Sequence, residues 1–392
     1  MDPLYHYTAN NHTDPSLYQQ IINVDDAWEQ GLTGNGVTIA VIGSGFWTYS
    51  SEATTTLNWA VDGGSVIDQT GHETKAINII TGQHNGKLNA GIAPGADVIS
   101  IKATRGTNTH YYQSDLVKAI DYAVLHGADI INLSIQGLNN PGLSLTNSVT
   151  EAINAGVEVV SITGNKYDEP IGFLPTIDGV HGVGSVTRTI ERVPESQTGE
   201  YLDLYAPGDG LRLVGLNDLA WGGQHGTSFA APQVAAAMAL LIEAGVSVDR
   251  LYETSLPVLN ETAGVINIGF AIHTGSNPLL HINQDNYSTE QELGVSYLIP
   301  EQAEVFDVKL WIDHGDTTWY LNEVGGLMEY ESTAFQDLPA NLEFVGNVWG
   351  HAGIYPLMDL TGVESGEYVF NVELIDQSGQ LIQVIGQEIV II

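Results

Sequence analysis

The chain contains no cysteine, which excludes disulfides, thiolate metal sites and a cysteine nucleophile. Basic residues are scarce: 11 Lys and Arg stand against 47 Asp and Glu, a formal charge of −36. Such a balance repels phosphate backbones, so a nucleic-acid partner is not expected. It suits solubility in a salty medium, and it would attract basic peptides or Ca²⁺. No uninterrupted apolar run approaches the ~18–20 residues of a membrane-spanning helix. The start, Met1-Asp2-Pro3-Leu4-Tyr5, has neither a basic n-region nor an apolar h-region, so no signal peptide is visible. That fits a secreted protein stripped of its leader, which is the location expected here, and it equally fits a cytoplasmic one. The 12 histidines are scattered, with no His-Glu-x-x-His signature. No catalytic metal or cofactor is implied, and oligomeric state is not legible.

What is present is enough apolar material, 43% of 392 residues, for a sizeable core and two or so domains. From residue 35 to about 245, short apolar runs alternate with helical periods. Gly36–Ile42, Ala96–Ile101, Ile130–Leu133 and Val157–Ile162 read as strands. His72–Ile80, Ser114–His126, Ser148–Ala155 and Phe229–Ala244 read as helices. This alternation predicts an α/β fold with a mostly parallel sheet covered by helices on both faces. After a linker at Ser276-Asn277-Pro278 the texture changes. Val305–Ile312, Glu367–Ile375 and Leu381–Ile392 are strand-like, and Asp376-Gln377-Ser378-Gly379 is a hairpin-turn signal. The reading is two domains: residues 1–275, and a C-terminal all-β sandwich over 276–392, immunoglobulin-like by weak analogy.

The strongest local signal is Gly226-Thr227-Ser228-Phe229-Ala230-Ala231-Pro232, opening an apolar helix that stops at Gly245. A serine at a buried helix N-terminus sits in the positive field of free N–H groups, which would stabilise an oxyanion. The plain structural alternative is that Ser228 is an N-cap. Pro232 is expected to be tolerated as a first-turn residue.

This stretch resembles the nucleophile motif of the subtilisin family of serine peptidases. Other stretches fall in that family's order. Val37–Gly45 looks like its first strand and turn, and Gly71-His72-Glu73-Thr74 like its histidine motif. Gly91-Ile92-Ala93-Pro94 and Ala128–Ser134 look like stretches that follow the histidine. Gly164-Asn165 occupies the place of the oxyanion asparagine, and Ala206-Pro207-Gly208 precedes the serine. Asp2–Tyr5, Asn23–Trp28 and Gly264–Asn267 look like landmarks near the ends of the catalytic domain. The resemblance covers residues ~20–275. It implies a subtilisin-like sheet, Ser228 as nucleophile, His72 as general base and Asn165 as oxyanion donor.

The departures are as informative. Where the family has Asp-Ser/Thr-Gly, this chain has Gly43-Ser44-Gly45, so the carboxylate that would hold the histidine is missing. His72-Glu73-Thr74-Lys75 replaces the family's His-Gly-Thr-His. Adjacent side chains on a helix diverge by ~100°, so Glu73 is expected to point away from the imidazole's rear nitrogen, leaving Glu52, Asp62 or Asp68 as substitutes. Ser134-Ile135-Gln136-Gly137 stands where the family's substrate-binding Ser-Leu-Gly-Gly lies, with Gln136 filling the cleft. Ile162-Thr163 is expected to narrow the pocket. Structural Ca²⁺ occurs in the family. The Gln83–Ala90 loop is suitably placed, but it reads more simply as a solvated loop.

Three functions follow. One is a serine endopeptidase on protein or peptide substrates, weak for want of the aspartate. The second is an inactive pseudoprotease that binds or scaffolds. The third is a weak esterase. A gain of activity in Gly43→Asp would show that the remaining machinery is competent.

Overall fold

In a computed structural model, the structure describes residues 17–274 apart from 87–89, 107–109, 137–141, 168 and 259–260. Beyond 274 it describes only the backbone of the strands. The Asp2–Tyr5 landmark, Gly137, the Ser276–Pro278 linker and the Asp376–Gly379 turn lie outside the described residues. The chain divides into two compact units. The first comprises Met1–Tyr252 with Val258–Ile272, and the second Glu253–Pro257 with His273–Ile392.

The first unit opens with two short helices, α1 (Leu17–Ile21) and α2 (Asp25–Glu29). Its sheet comprises β1 (Thr38–Gly43), β2 (Leu57–Ala60), β3 (Asp97–Lys102), β4 (Ile130–Leu133), β5 (Glu158–Ile162), β6 (Val180–Val186) and β7 (Leu204–Pro207). They lie in the order β2-β3-β1-β4-β5-β6-β7, and the short strand Gly264–Val265 pairs with β7. Every one of these pairings is parallel. The order turns at β1, which has β3 on one side and β4 on the other. In sheets of this kind such a turning point marks the crevice where ligands bind, outside the carboxyl ends of the strands.

The residues of β1 explain its central place. Ile39 and Val41 enter one core and Ala40 and Ile42 the other, so both faces are buried and the strand reads as one apolar run. The first core holds α3 (His72–Thr81) and α6 (Thr227–Glu243), and the second α4 (Gln113–Leu125) and α5 (Leu143–Asn154). Helix α6 is apolar all round, with Val234 to Leu241 at 0% exposure, which is how a helix reads when it is wholly enclosed. Its alanines keep its girth small against the sheet. It ends at Gly245 in a left-handed conformation (φ 69°), whose follower Val246 donates back to Leu241 O at 2.9 Å. An antiparallel hairpin of β8 (Leu211–Val214) and β9 (Ala220–Gln224) precedes α6.

Two expectations need correction. Helix α5 begins at Leu143 rather than Ser148, because Leu145, four residues before Val149 on the same buried face, carries the helix a turn further toward the N-terminus. Pro232 lies in the sixth position of α6, past the first turn. It lacks the N–H that Ser228 O would otherwise accept. The freed carbonyl accepts instead from Ser134 Oγ at 3.0 Å, which is what makes the proline tolerable.

In the second unit the expected runs appear as Asp307–His314, Gly366–Ile375 and Leu381–Ile391, in a sheet of six strands. A second sheet of three strands contains Leu279–Ile282, Glu292–Leu298 and Ala352–Asp359. Pairing is antiparallel except for Asn286–Tyr287 on Leu381–Ile391.

Candidate active site

Ser228 is the second residue of α6 and not its N-cap. That place belongs to Gly226, whose φ of 124° few other residues adopt. The serine side chain is therefore not engaged as the helix cap. Of the first three N–H groups of the helix, that of Thr227 donates to Asn165 Oδ1 at 2.8 Å and that of Phe229 to Gly226 O at 3.0 Å. The Ser228 N–H is left to aim at a ligand oxygen. The Thr227 hydroxyl adds a second donor to Asn165 Oδ1 at 3.0 Å. With its oxygen doubly engaged, the Asn165 amide presents its N–H₂ end as the free donor.

Asn165 follows Gly164 at the carboxyl end of β5. Gly164 has φ 120°, and a Cβ there would run into Gln197 Oε1 and come within 3.0 Å of Gln136 Nε2. Gln197, 2% exposed, was not singled out by sequence reasoning. Its Oε1 accepts from Gln136 Nε2 at 3.1 Å and from Lys166 N at 3.3 Å, and its Nε2 donates to Glu169 O and Pro170 O. With its own backbone N–H donating to Gly164 O at 3.1 Å, it ties down the loop on both sides of Asn165. A buried amide making contacts this far apart in sequence carries no periodic signal. Gln136 turns toward this partner. Ser134 and Ile135 are buried, the former spent on Ser228 O. The expectation that Ile162 and Thr163 narrow a pocket fails: Ile162 is in the core beneath α6, and Thr163, fully buried, donates to Val183 O at 3.3 Å.

His72 is the first residue of α3, behind Gly71 in the left-handed N-cap position (φ 75°). Its ring lies 5.5 Å from that of Phe229, the residue after Ser228. The largest departure from expectation is here. Glu73 does not point away. Its Oε1 lies 3.0 Å from His72 Nδ1, with the carboxylate 1% exposed and the imidazole 35%. The ~100° divergence governs where Cβ atoms start, and the longer glutamate chain folds back over the end of β1. Space for it exists only because residue 43 is glycine. A Cβ built on Gly43 falls inside the Glu73 side chain, against Oε1, Cδ and Cγ, far within the ~3.5 Å of ordinary carbon contact. Gly43 has no left-handed φ, so its backbone does not require glycine; the carboxylate does.

The three substitutes proposed from the sequence are engaged elsewhere. Glu52 accepts from Asn85 Nδ2 at 2.9 Å and Asp62 from Gly64 N at 2.9 Å. Asp68 accepts from the backbone N–H of Thr70, Gly71 and Thr74 and from the hydroxyls of Thr70 and Thr74, holding the turn that starts α3. Burial works to raise its pKa, but these hydrogen bonds prevail and hold it below the usual carboxylate value. Lys75 leans to the hairpin, donating to Gln224 Oε1 at 2.7 Å, with its ammonium 5.4 Å from the Trp221 ring.

The electrostatics follow from this layout. Burial pulls the His72 pKa down. The Glu73 charge and hydrogen bond, helped by Asp68, outweigh it and leave the imidazole above its ordinary value, against a small opposing push from Lys75. Tyr111 is held well above the usual phenol range, by burial first and then by the Glu73 and Asp68 charges. Among the described residues no cluster of His, Asp and Glu is arranged to hold a metal ion, and no helix is long and apolar enough to cross a membrane.

A family model of the subtilase family matches residues 34–253. The chain is 33% identical over 222 residues to the minor extracellular protease Epr of Bacillus subtilis (strain 168), covering 56% of this chain and 34% of that protein. It thus spans about a third of Epr. The major intracellular serine protease of the same organism is 29% identical over 235 residues, 57% of this chain and 73% of the relative. Subtilisin E is 28% identical over 260 residues, 62% and 66%. Among solved structures, the prenylagaramide maturation protease PagA superposes with a TM-score of 0.56 at 23% identity, covering 64% of this chain and 98% of that one, a likeness of fold. The ordered motifs, the parallel sheet turning at β1 and the match over residues 34–253 lead to one assignment: the chain belongs to the subtilase family.

Proposed function

We propose that this chain is a serine endopeptidase that cleaves peptide bonds through an acyl-enzyme on Ser228, with Glu73 standing in for the aspartate missing at position 43. The observation that carries the reading is the 3.0 Å contact between Glu73 Oε1 and His72 Nδ1. A carboxylate there fixes the tautomer in which Nδ1 bears the proton and Nε2 is free to act as base. His72 Nε2 takes the Ser228 Oγ proton as the oxygen attacks the substrate carbonyl. The resulting oxyanion accepts from the Asn165 amide and the Ser228 N–H. Collapse breaks the C–N bond, and the imidazolium gives its proton to the leaving amine. Water then repeats the sequence on the ester. The Glu73 carboxylate stabilises the imidazolium at each stage.

The two sheets of the C-terminal unit fit a β-sandwich. A fluorophosphonate probe tests the proposal. Labelling mapped to Ser228, together with cleavage of a fluorogenic peptide, is the expected outcome. A folded protein that neither labels nor cleaves would leave the fold serving as a binding module.

A further inference from the structure

Glu73 uses only one of its carboxylate oxygens on His72. The other, Oε2, accepts a short hydrogen bond from the Ser44 hydroxyl. Ser44 Oγ also lies 2.8 Å from Asp68 Oδ1 and 2.9 Å from Thr70 Oγ1. Ser44 is 5% exposed, and both carboxylates are 1% exposed. One hydroxyl proton is therefore shared between two enclosed carboxylates. Asp68 is already supplied by three backbone N–H groups and two threonine hydroxyls. For Glu73 Oε2, the Ser44 proton is the donor at hand. A glutamate side chain has more rotatable bonds to immobilise than an aspartate, and freezing them costs conformational entropy. A relocated acid therefore needs support that a shorter one would not.

We infer that Ser44 and Asp68 are positioning residues for this reaction: Ser44 locks the Glu73 carboxylate against His72, and Asp68 fixes both Ser44 and the turn that delivers His72. Asp68 acts in two directions. Through Thr70 it places a hydroxyl against Ser44 Oγ. Through the N–H groups of Gly71 and Thr74 it sets where α3 begins, and so where His72 and Glu73 emerge. This inference rests on the peptidase reading for its kinetic consequence, but its geometric content can be read without turnover.

The experiment compares the full-length protein with Ser44→Ala, Ser44→Thr and Asp68→Asn by two measurements. The first is the proton NMR signal of His72 Nδ1–H, whose downfield position reports the bond to Glu73. The second is peptide hydrolysis across pH. The charges and titratable groups facing His72 are Glu73, Asp68 and Lys75, with Tyr111 facing the two carboxylates. Ser44→Ala is expected to lose or broaden the Nδ1–H signal. It should also lower kcat about 10–100-fold with KM within about twofold, the scale seen for hydrogen-bonded partners behind metal-ligating histidines. Ser44→Thr, which keeps the hydroxyl, is expected to restore both. Asp68→Asn, isosteric but neutral, is expected to move the acidic limb of kcat/KM to lower pH, since a negative charge facing the imidazolium is gone. An unchanged Nδ1–H signal and unchanged kcat in Ser44→Ala and Asp68→Asn would overturn the inference and leave the peptidase reading standing. A signal lost in Ser44→Ala, in a protein whose parent neither labels nor cleaves, would sustain the positioning role and remove the peptidase reading instead.

Discussion

The two walls of the site have been treated differently. The wall that carries Ser228 and Asn165 follows the motif order that the resemblance leads one to expect, with Gly226 as cap, Asn165 turned by Thr227, and Ser134 closing the gap left by Pro232. The wall that carries His72 is rebuilt. There residue 43 at the end of the strand is glycine, and Glu73, next to His72 on the helix, brings a carboxylate to the imidazole. The contrast reflects what each wall must do. Oxyanion donors must meet a substrate atom at a set place, so backbone and amide geometry are tightly constrained. An orienting acid must meet only one nitrogen of the protein itself, and it can approach from any element that has room.

Mutations on the two walls sharpen that contrast. The largest effect is expected for Ser228→Ala or His72→Ala, each losing about 10⁶-fold in kcat, the scale of removing a subtilisin's nucleophile or base, read by hydrolysis of a fluorogenic peptide. Glu73→Gln should follow, at about 10⁴-fold, since the amide cannot hold the productive tautomer or balance the imidazolium. The same change removes the charge that raises the His72 pKa. The sign is therefore clear. The parent's kcat/KM climbs with pH through an apparent pKa above about 6.5, and residual activity in Glu73→Gln climbs through a lower one. Gly43→Asp alone should depress activity, because its Cβ enters the volume of Glu73, whereas Gly43→Asp combined with Glu73→Gly should recover much of it. Equal damage from the single and double changes would sink the idea that the carboxylate has moved between elements. Asn165→Ala should cost about 10²–10³ in kcat with little change in KM, confirming that the opposite wall works in the usual way. The smallest effect is structural. Ser134→Ala leaves Ser228 O without its donor and should lower unfolding stability by about 1–3 kcal/mol in a denaturant titration.

Much of this was legible in the sequence for a physical reason. Strands enclosed on both faces, such as β1, β4 and β5, must be continuous apolar runs, and a helix enclosed on all sides, such as α6, must be apolar all round. Ser228, Asn165 and His72 stand in ordered motifs because backbone turns hold them. Glu73 is misplaced by a helical-wheel argument, which considers one element at a time, while the space for this side chain is made on another. A signal is nonetheless present. Where the resemblance leads one to expect a carboxylate at 43 and a glycine at 73, the chain has the reverse, and two complementary departures on facing elements describe an exchange. Gln197 left no such trace, because nothing in its neighbours' spacing announces a side chain that crosses to Gln136 and Lys166.

Placing His72 and Glu73 side by side also changes what kind of quantity their separation is. When base and acid come from different elements, their distance depends on tertiary packing and varies with every opening of one element against another. Here both emerge from the first turn of α3, so the pair is carried by a single local unit. Transient loosening between α3 and β1 would move the two together and load the Ser44–Glu73 hydrogen bond first, so the lock on the carboxylate yields before the spacing of the pair does, whereas a strand-borne acid would part from its histidine directly.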